Sequence, residues 1–147
     1  MTRLKEKEQC YLPVVLDPGA KEPTRAHEFD AGLDLYSTRA LIIRAHSRET
    51  IDTGVHVAIP KGFVGFLTSR SGMMRKQGLT CRGTIDCGYT GSIGAVIFNH
   101  SDEDAFIPAG SKITQLVIVP CIVPPVKVVD ALEETERGDD GFGSTGR

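Results

Sequence analysis

The eleven residues 137–147, RGDDGFGSTGR, set a large apolar ring, Phe142, among four glycines and two hydroxyls. Glycine loses more conformational freedom on ordering than any other residue, so such a run is an ordinary flexible tail unless something holds it. Gly143, Ser144, Thr145 and Gly146 offer hydroxyls and bare N–H groups of the kind that cradle phosphate oxygens. Ring and cradle together point to a nucleotide clamp. A second anion-binding stretch is SRSGMMRKQG, residues 69–78, where Ser71 is placed to cap a short helix running to Gln77 and ending at Gly78. The start of that helix, Ser71-Gly72, would present free N–H groups and a positive dipole end, with Arg70 adding charge; the alternative is a capped surface helix beside an exposed arginine.

Two further stretches are less decisive. TIDCGYTG, residues 84–91, has the turn residues of a β-hairpin and carries Asp86 and Tyr89 at its rim. An aspartate there is either solvated and bonded to its own backbone or aimed at a ligand, and a tyrosine there is either a sheet residue or a wall against one. Gln115 interrupts the apolar run KITQLVIV, residues 112–119, and can simply face solvent.

The elements that would position these side chains read as strands. YLPVVLD, ETIDTGVHVAIP, GFVGFLT, SIGAVIFN and SKITQLVIVPCIVPPVKVVD are rich in valine and isoleucine and are punctuated by turn residues. Thr53, Val55 and Val57 alternate with Gly54, His56 and Ala58, the pattern of a sheet with one buried face. Short strands without alternating helices predict an all-β sandwich, jelly roll or barrel with the one short helix. Pro108, Pro120, Pro124 and Pro125 each remove a ladder donor, so the last strand is expected at an edge or leaving the sheet. After Asp130 the apolar pattern stops, giving a core over residues 1–130 and an acidic, polar arm over 131–147.

Composition narrows the ligand. A single domain fits 147 residues, and a net charge of −2 gives no electrostatic footprint for nucleic acid and no basic strip for a membrane surface. The charged opening MTRLKEKEQC lacks the apolar stretch of a secretory signal, so a cytoplasmic location is expected. Cys10, Cys81, Cys87 and Cys121 form no C-x-x-C pair and the four histidines no metal-ligand spacing, which argues against zinc and for buried or half-buried thiols.

In order, AGLDLYS, SRSGMMRKQG, GTIDCGYTGSIGAVIFN, KITQLVIVP and RGDDGFGSTG resemble the five motifs of the trimeric deoxyuridine triphosphate nucleotidohydrolases, the dUTPases, from Ala31 to Gly146. The resemblance implies a homotrimeric jelly-roll-like β-barrel that hydrolyses dUTP to dUMP and pyrophosphate with Mg²⁺, its sites at subunit interfaces. It makes Asp86 the general base that deprotonates the attacking water and contacts the 3′-hydroxyl, and lays Tyr89 against the deoxyribose. It assigns uracil to the backbone around Gly83, Thr84 and Ile85. Phosphates fall to Arg70, Ser71, Gly72 and Gln115, and Asp34 stands near Mg²⁺ through ordered water.

The same resemblance sends the arm to another subunit, with Phe142 stacked on uracil, Arg137 at the γ-phosphate, and Gly143, Ser144 and Thr145 around the phosphates. Asp140 and Gly88 depart from the family pattern. Gly88 is expected to loosen the hairpin beside Tyr89, and Asp140 to oppose closure unless its side chain faces out. Two rival readings stand beside this one. A dCTP deaminase of the same fold would carry a glutamate in the strand where this chain has GSIGAVIFNHS, and a nucleotide-sensing module would use arm closure as a signal.

Overall fold

The short β-branched runs become strands because branched side chains pack well on a pleated, half-buried surface. In the computed structural model, which describes residues 11–141 and 143, the order is β1 (Val14–Leu16), β2 (Gly32–Tyr36), β3 (Leu41–Ile43), β4 (Arg48–Asp52), β5 (Val55–Val57), β6 (Phe63–Thr68), α1 (Ser71–Gln77), β7 (Leu79–Ile85), β8 (Gly94–Asn99), β9 (Ala105–Ile107) and β10 (Lys112–Pro120). The expected all-β class is what forms. All pairings are antiparallel: a six-stranded sheet ordered β2-β10-β6-β7-β8-β4, and two-stranded ribbons β1-β5 and β3-β9. The large sheet curls into a jelly-roll-like barrel around one core.

Alternation shows which face is inside. Val55, Val57 and Ile59 are buried while His56 is half-buried and Ala58 exposed, and in β8 Ala95, Ile97 and Asn99 point inward between Gly94, Val96 and Phe98. Leu35, Ile43, Ile51, Ile97, Ile113 and Leu116 fill the centre. Gly65 lies among them because a Cβ there would come within 2.7 Å of Ile59 Cδ1 and 2.8 Å of Leu116 Cδ1.

β7 decides the shape. Its residues 79–81 pair with β8, Cys81 facing Ile97, and its residues 82–85 pair with β6, Ile85 facing Gly65. Beyond Cys81 the two strands of the expected β7–β8 hairpin therefore separate: β8 turns to β4, with Gly94 opposite Asp52, while β7 stays with β6. The hairpin is closed at one end and open at the end that carries Asp86.

β10 refines the expectation drawn from the prolines. Over residues 115–117 it has β2 on one side and β6 on the other, so it is an interior strand there, and only over 118–120 does β6 remain as its sole neighbour. Pro120 falls where no donor is needed on the open side. Regular structure ends at Pro120, and residues 122–141 are exposed, with Ile122, Val123, Val126 and Val128 each more than four-fifths accessible. Of the thiols, Cys81 is buried and Cys121 half-buried, whereas Cys87 sits exposed in a turn, so the expectation of shelter fails there. Burial pushes the Cys81 thiol up, with Thr114 opposing. No helix among the described residues is long and apolar enough to cross a membrane.

One buried polar side chain ties the far end of the barrel. Asn99 donates through Nδ2 to the carbonyls of Ile43 (3.0 Å) and Glu103 (2.8 Å), and its Oδ1 accepts from the Ser101 amide (3.0 Å) and hydroxyl (2.7 Å). Replacing Asn99 by alanine removes this side chain's bonds to β3 and to the 101–103 turn at once. Urea denaturation of Asn99→Ala should show a loss of about 2–4 kcal/mol, the cost of orphaned buried backbone groups.

Candidate active site

At one end of the sheet Asp34, Gln115, Thr68 and Arg82 stand in a row across β2, β10, β6 and β7. Asp34 is buried and accepts from two cations: Arg70 Nε on Oδ1 at 3.1 Å and Lys112 Nζ on Oδ2 at 2.8 Å. Arg70 Nη1 also reaches the Lys112 carbonyl at 3.4 Å. The Asp34 hydrogen bond and charge hold the Lys112 ammonium above its ordinary pKa, against burial and the nearby Arg70. Two cations on one carboxylate leave a surplus positive charge, and both cations are only about one-third exposed.

Gln115 joins this cluster by leaning across Gly32. Its Nε2 lies 3.5 Å from the Ser69 carbonyl, and a Cβ at Gly32 would come within 2.8 Å of its Cδ. The resemblance gives Gln115 and Arg70 to the phosphates, and nothing in the motifs marks Lys112 or Gly32. A lysine opposite Tyr36 in a strand looks like an ordinary rim charge, and only the β10–β2 register brings it to Asp34.

α1 corrects the expected cap. Arg70, with φ −82° and ψ 129°, is the N-cap and makes no side-chain cap bond, so Ser71 is the first helical residue. An arginine has no acceptor oxygen to offer the first turn. The first i to i−4 bond runs from the Met74 amide to the Arg70 carbonyl, which leaves the Ser71 and Gly72 amides at an uncapped, exposed helix start. The other end is as expected: Gly78 is left-handed at φ 66°, and its amide turns back to the Met73 and Met74 carbonyls.

The open end of the hairpin holds the second group of residues. Gly83 is half-buried against Leu67, Ile85 is buried, and Thr84 and Arg82 face out, so the bulky Arg82 leaves the strand edge clear. Residues 82–85 use one edge for β6 and have no ladder partner on the β8 side among the described residues. Asp86 follows, exposed, and its carbonyl accepts from the Tyr89 amide at 3.1 Å. Gly88 has φ 88°, the position-three angle of a type II turn, so this glycine tightens the hairpin end where loosening was expected. Tyr89 folds over Gly91, its hydroxyl donating to the Ser92 carbonyl at 3.0 Å. A Cβ at Gly91 would come within 2.7 Å of Tyr89 Cζ.

In the arm, Arg137 Nε donates to the Asp140 carbonyl at 3.0 Å and the Asp140 amide to the Arg137 carbonyl at 3.0 Å, a local turn that leaves both side chains exposed. Gly143 is exposed at φ 78°. Phe142, Ser144 and Thr145 lie outside the described residues.

The dUTPase family profile matches residues 19–146. This chain belongs to the dUTPase family. It is 40% identical over 136 residues to the deoxyuridine 5′-triphosphate nucleotidohydrolase of Clostridium tetani, covering 90% of this chain and 94% of that one. It is 38% identical to that of Candida albicans, covering 97% and 91% of the two chains. Its fold is similar to that of the Staphylococcus bacteriophage 80alpha dUTPase bound to dUpNHpp, with a TM-score of 0.88 and 36% identity over 93% of this chain and 99% of that one. A mutant dUTPase of the S. aureus phage phi11, with a TM-score of 0.79 and 33% identity over 85% of this chain and 100% of its own, coordinates a structural Mg(II) ion.

In this dUTPase-family chain the donors do not fit a directly held Mg²⁺. No group of three or more His, Cys, Asp or Glu converges among the described residues, and each Asp34 oxygen already faces a cation. Gly32→Ala should push the Gln115 amide away from Ser69 while leaving the Asp34–Arg70 pair in place. A shift of the Gln115 side-chain amide resonances, with about 1–3 kcal/mol of lost stability from overpacking, is the expected reading.

Proposed function

We propose that the chain is a dUTP diphosphatase whose active site is completed only between subunits of a homotrimer. The observation that carries this reading is the open β7–β8 hairpin, with a backbone edge at 82–85 that pairs with no strand among the described residues and Asp86 and Tyr89 at its mouth. A rigid edge of amide donors and carbonyl acceptors suits one face of uracil. It rejects cytosine because the wrong base leaves buried polar groups unpaired. Tyr89, held over Gly91, walls off C2′ of the sugar and leaves no room for a 2′-hydroxyl.

Asp86 takes the proton of a water that attacks the α-phosphorus. The new P–O bond gives dUMP, the bond from that phosphorus to the α,β-bridging oxygen breaks, and pyrophosphate leaves with the electron pair. Arg70, the Ser71 hydroxyl, the Ser71 and Gly72 amides and Gln115 hold the phosphates, and Asp34 keeps the Arg70 guanidinium in place. Charge neutralisation on the phosphates is what Mg²⁺ would supply if it came bound to the substrate, and Asp34, already paired with Arg70 and Lys112, would meet it only through ordered water.

Geometry within one chain supports the need for a second. The Gln115–Thr68 row is level with Arg82, β7 runs on three residues to Ile85, about 10 Å at 3.3 Å per residue, and Asp86 lies beyond its end. A base acting through one water must stand within two hydrogen-bond lengths of the phosphorus it serves. One chain's phosphate cluster therefore pairs with another chain's hairpin. The core, residues 1–130, supplies both, and the arm, residues 131–147, closes over a neighbour's site: Arg137 meets the γ-phosphate, Phe142 stacks on uracil, and Gly143, Ser144 and Thr145 line the phosphates.

Pyrophosphate release from dUTP, with dCTP, dTTP and UTP compared, tests the reaction. Asp86→Asn should bind dUTP and lower kcat by a factor of about 10²–10⁴, the usual contribution of a general base. Tight binding without turnover in the unaltered protein would overturn the reaction and favour a sensing role. Mixing matters as much: with phosphate residues from one chain, the hairpin from a second and the arm from a third, inactive Asp86→Asn and Gln115→Ala subunits, unfolded and refolded together, should regain activity at about a quarter of the sites. A mixture no more active than its parts would place the site within one chain.

A further inference from the structure

The loop that carries Asp86 and Tyr89 is anchored by a histidine that neither the reaction nor the motif reading uses. His56, in the middle of β5, places Nδ1 2.7 Å from the Thr90 carbonyl and Nε2 3.0 Å from Asp17 Oδ1. Both partners are acceptors only, so the ring satisfies both only with a proton on each nitrogen; a neutral ring must set a lone pair against one of these oxygens. Around it the loop is pinned again: Ser92 donates through its hydroxyl to Asp52, and Thr53 Oγ1 donates to the Ile93 carbonyl at 2.8 Å.

We propose that His56, as an imidazolium bridging Asp17 and the Thr90 carbonyl, is the positioning residue that sets loop 86–93, and with it Asp86 and Tyr89, for dUTP. The inference rests on the diphosphatase reading for its kinetic consequence but not for its structural one. Three elements face the ring: the turn after β1 brings Asp17, the end of β4 brings Asp52, and the loop brings Thr90. The hydrogen bond to Thr90 and then that to Asp17 raise its pKa above the ordinary imidazole value, with the charges of Asp17 and Asp52 adding to the rise and burial opposing it. The bridge is thus intact below the usual imidazole range, about pH 6.5, and is lost as pH rises through the raised value.

The bridge also links two ends of the fold. Asp17 follows β1, whose Val15 lies opposite His56 in the β1–β5 ribbon, and the Asp17 amide donates to the Gly54 carbonyl at 2.8 Å. The carboxylate is therefore held by backbone pairing on the far side of the ring from the loop. A carboxylate is a stronger acceptor than a carbonyl, so in the proposed switch the remaining proton stays on Nε2 and loss of the other frees Thr90.

The test follows the His56 ring and the Tyr89 and Thr90 amides by NMR through a pH titration, with kcat/KM for dUTP measured over the same range in the unaltered protein, His56→Gln and Asp17→Asn. Gln keeps a donor for Thr90 but does not titrate, and the triphosphate's own ionisation cancels in the ratio to that variant. The expected result is a ratio that falls several-fold as His56 deprotonates, with the Tyr89 and Thr90 amides moving at the same midpoint. In Asp17→Asn both midpoints should shift together to lower pH. A flat ratio in an active enzyme, or amides that ignore the His56 titration, would overturn the proposal. Amides that track His56 in a protein that does not turn over dUTP would uphold the positioning role and overturn the reaction instead.

Discussion

A strand has two edges, and β7 spends one on β8 over residues 79–81 and the other on β6 over residues 82–85. That change of partner curls the six-stranded sheet, because β8 and β4 follow one half of β7 while β6, β10 and β2 follow the other. It also leaves residues 82–85 with one edge that pairs with no strand among the described residues, a liability in most sheets and here the feature that gives the site a shape. Ile93, Ala95 and Ile97 stay buried as β8 peels away, so the core closes behind the opening.

The other end of the sheet depends on one carboxylate. Asp34 is taken from water into a strand interior, which is unfavourable for an isolated charge, and two cations and a backbone register make it tolerable. Because Arg70 and Lys112 remain partly exposed, the pairing contributes modestly to stability. Its larger effect is to fix where positive charge stands. Gln115, leaning over Gly32, and the uncapped start of α1 complete a surface rich in donors next to that charge.

Much of this was legible in the residues. Valine and isoleucine runs between turns gave the strands, Gly78 marked the end of the helix, and the order of the five motifs led to the family. What failed to show were contacts between residues far apart in sequence. Lys112 meets Asp34 because Lys112 pairs with Tyr36 across a bulge in β10, and His56 meets Thr90 because β5 passes under the loop. Ser71 looked like a cap because serine often is one, yet the extended backbone at Arg70 puts the cap one residue earlier. Gly88 looked like a loss beside Tyr89, yet its positive φ is a conformation that glycine adopts without strain.

Local chemistry therefore belonged to the sequence: which segments are strands, where α1 stops, which side chains can carry charge, stack or accept a proton. These follow from steric preference and hydrogen-bonding capacity within a few residues. Only the tertiary structure decided that the hairpin opens at Cys81, that Asp34 is shared between two cations, and that Asp86 lies past the end of β7, away from the row that holds Asp34 and Gln115. Those outcomes depend on which strand edges pair, and pairing is chosen by the burial of the whole apolar face rather than by any one stretch of chain.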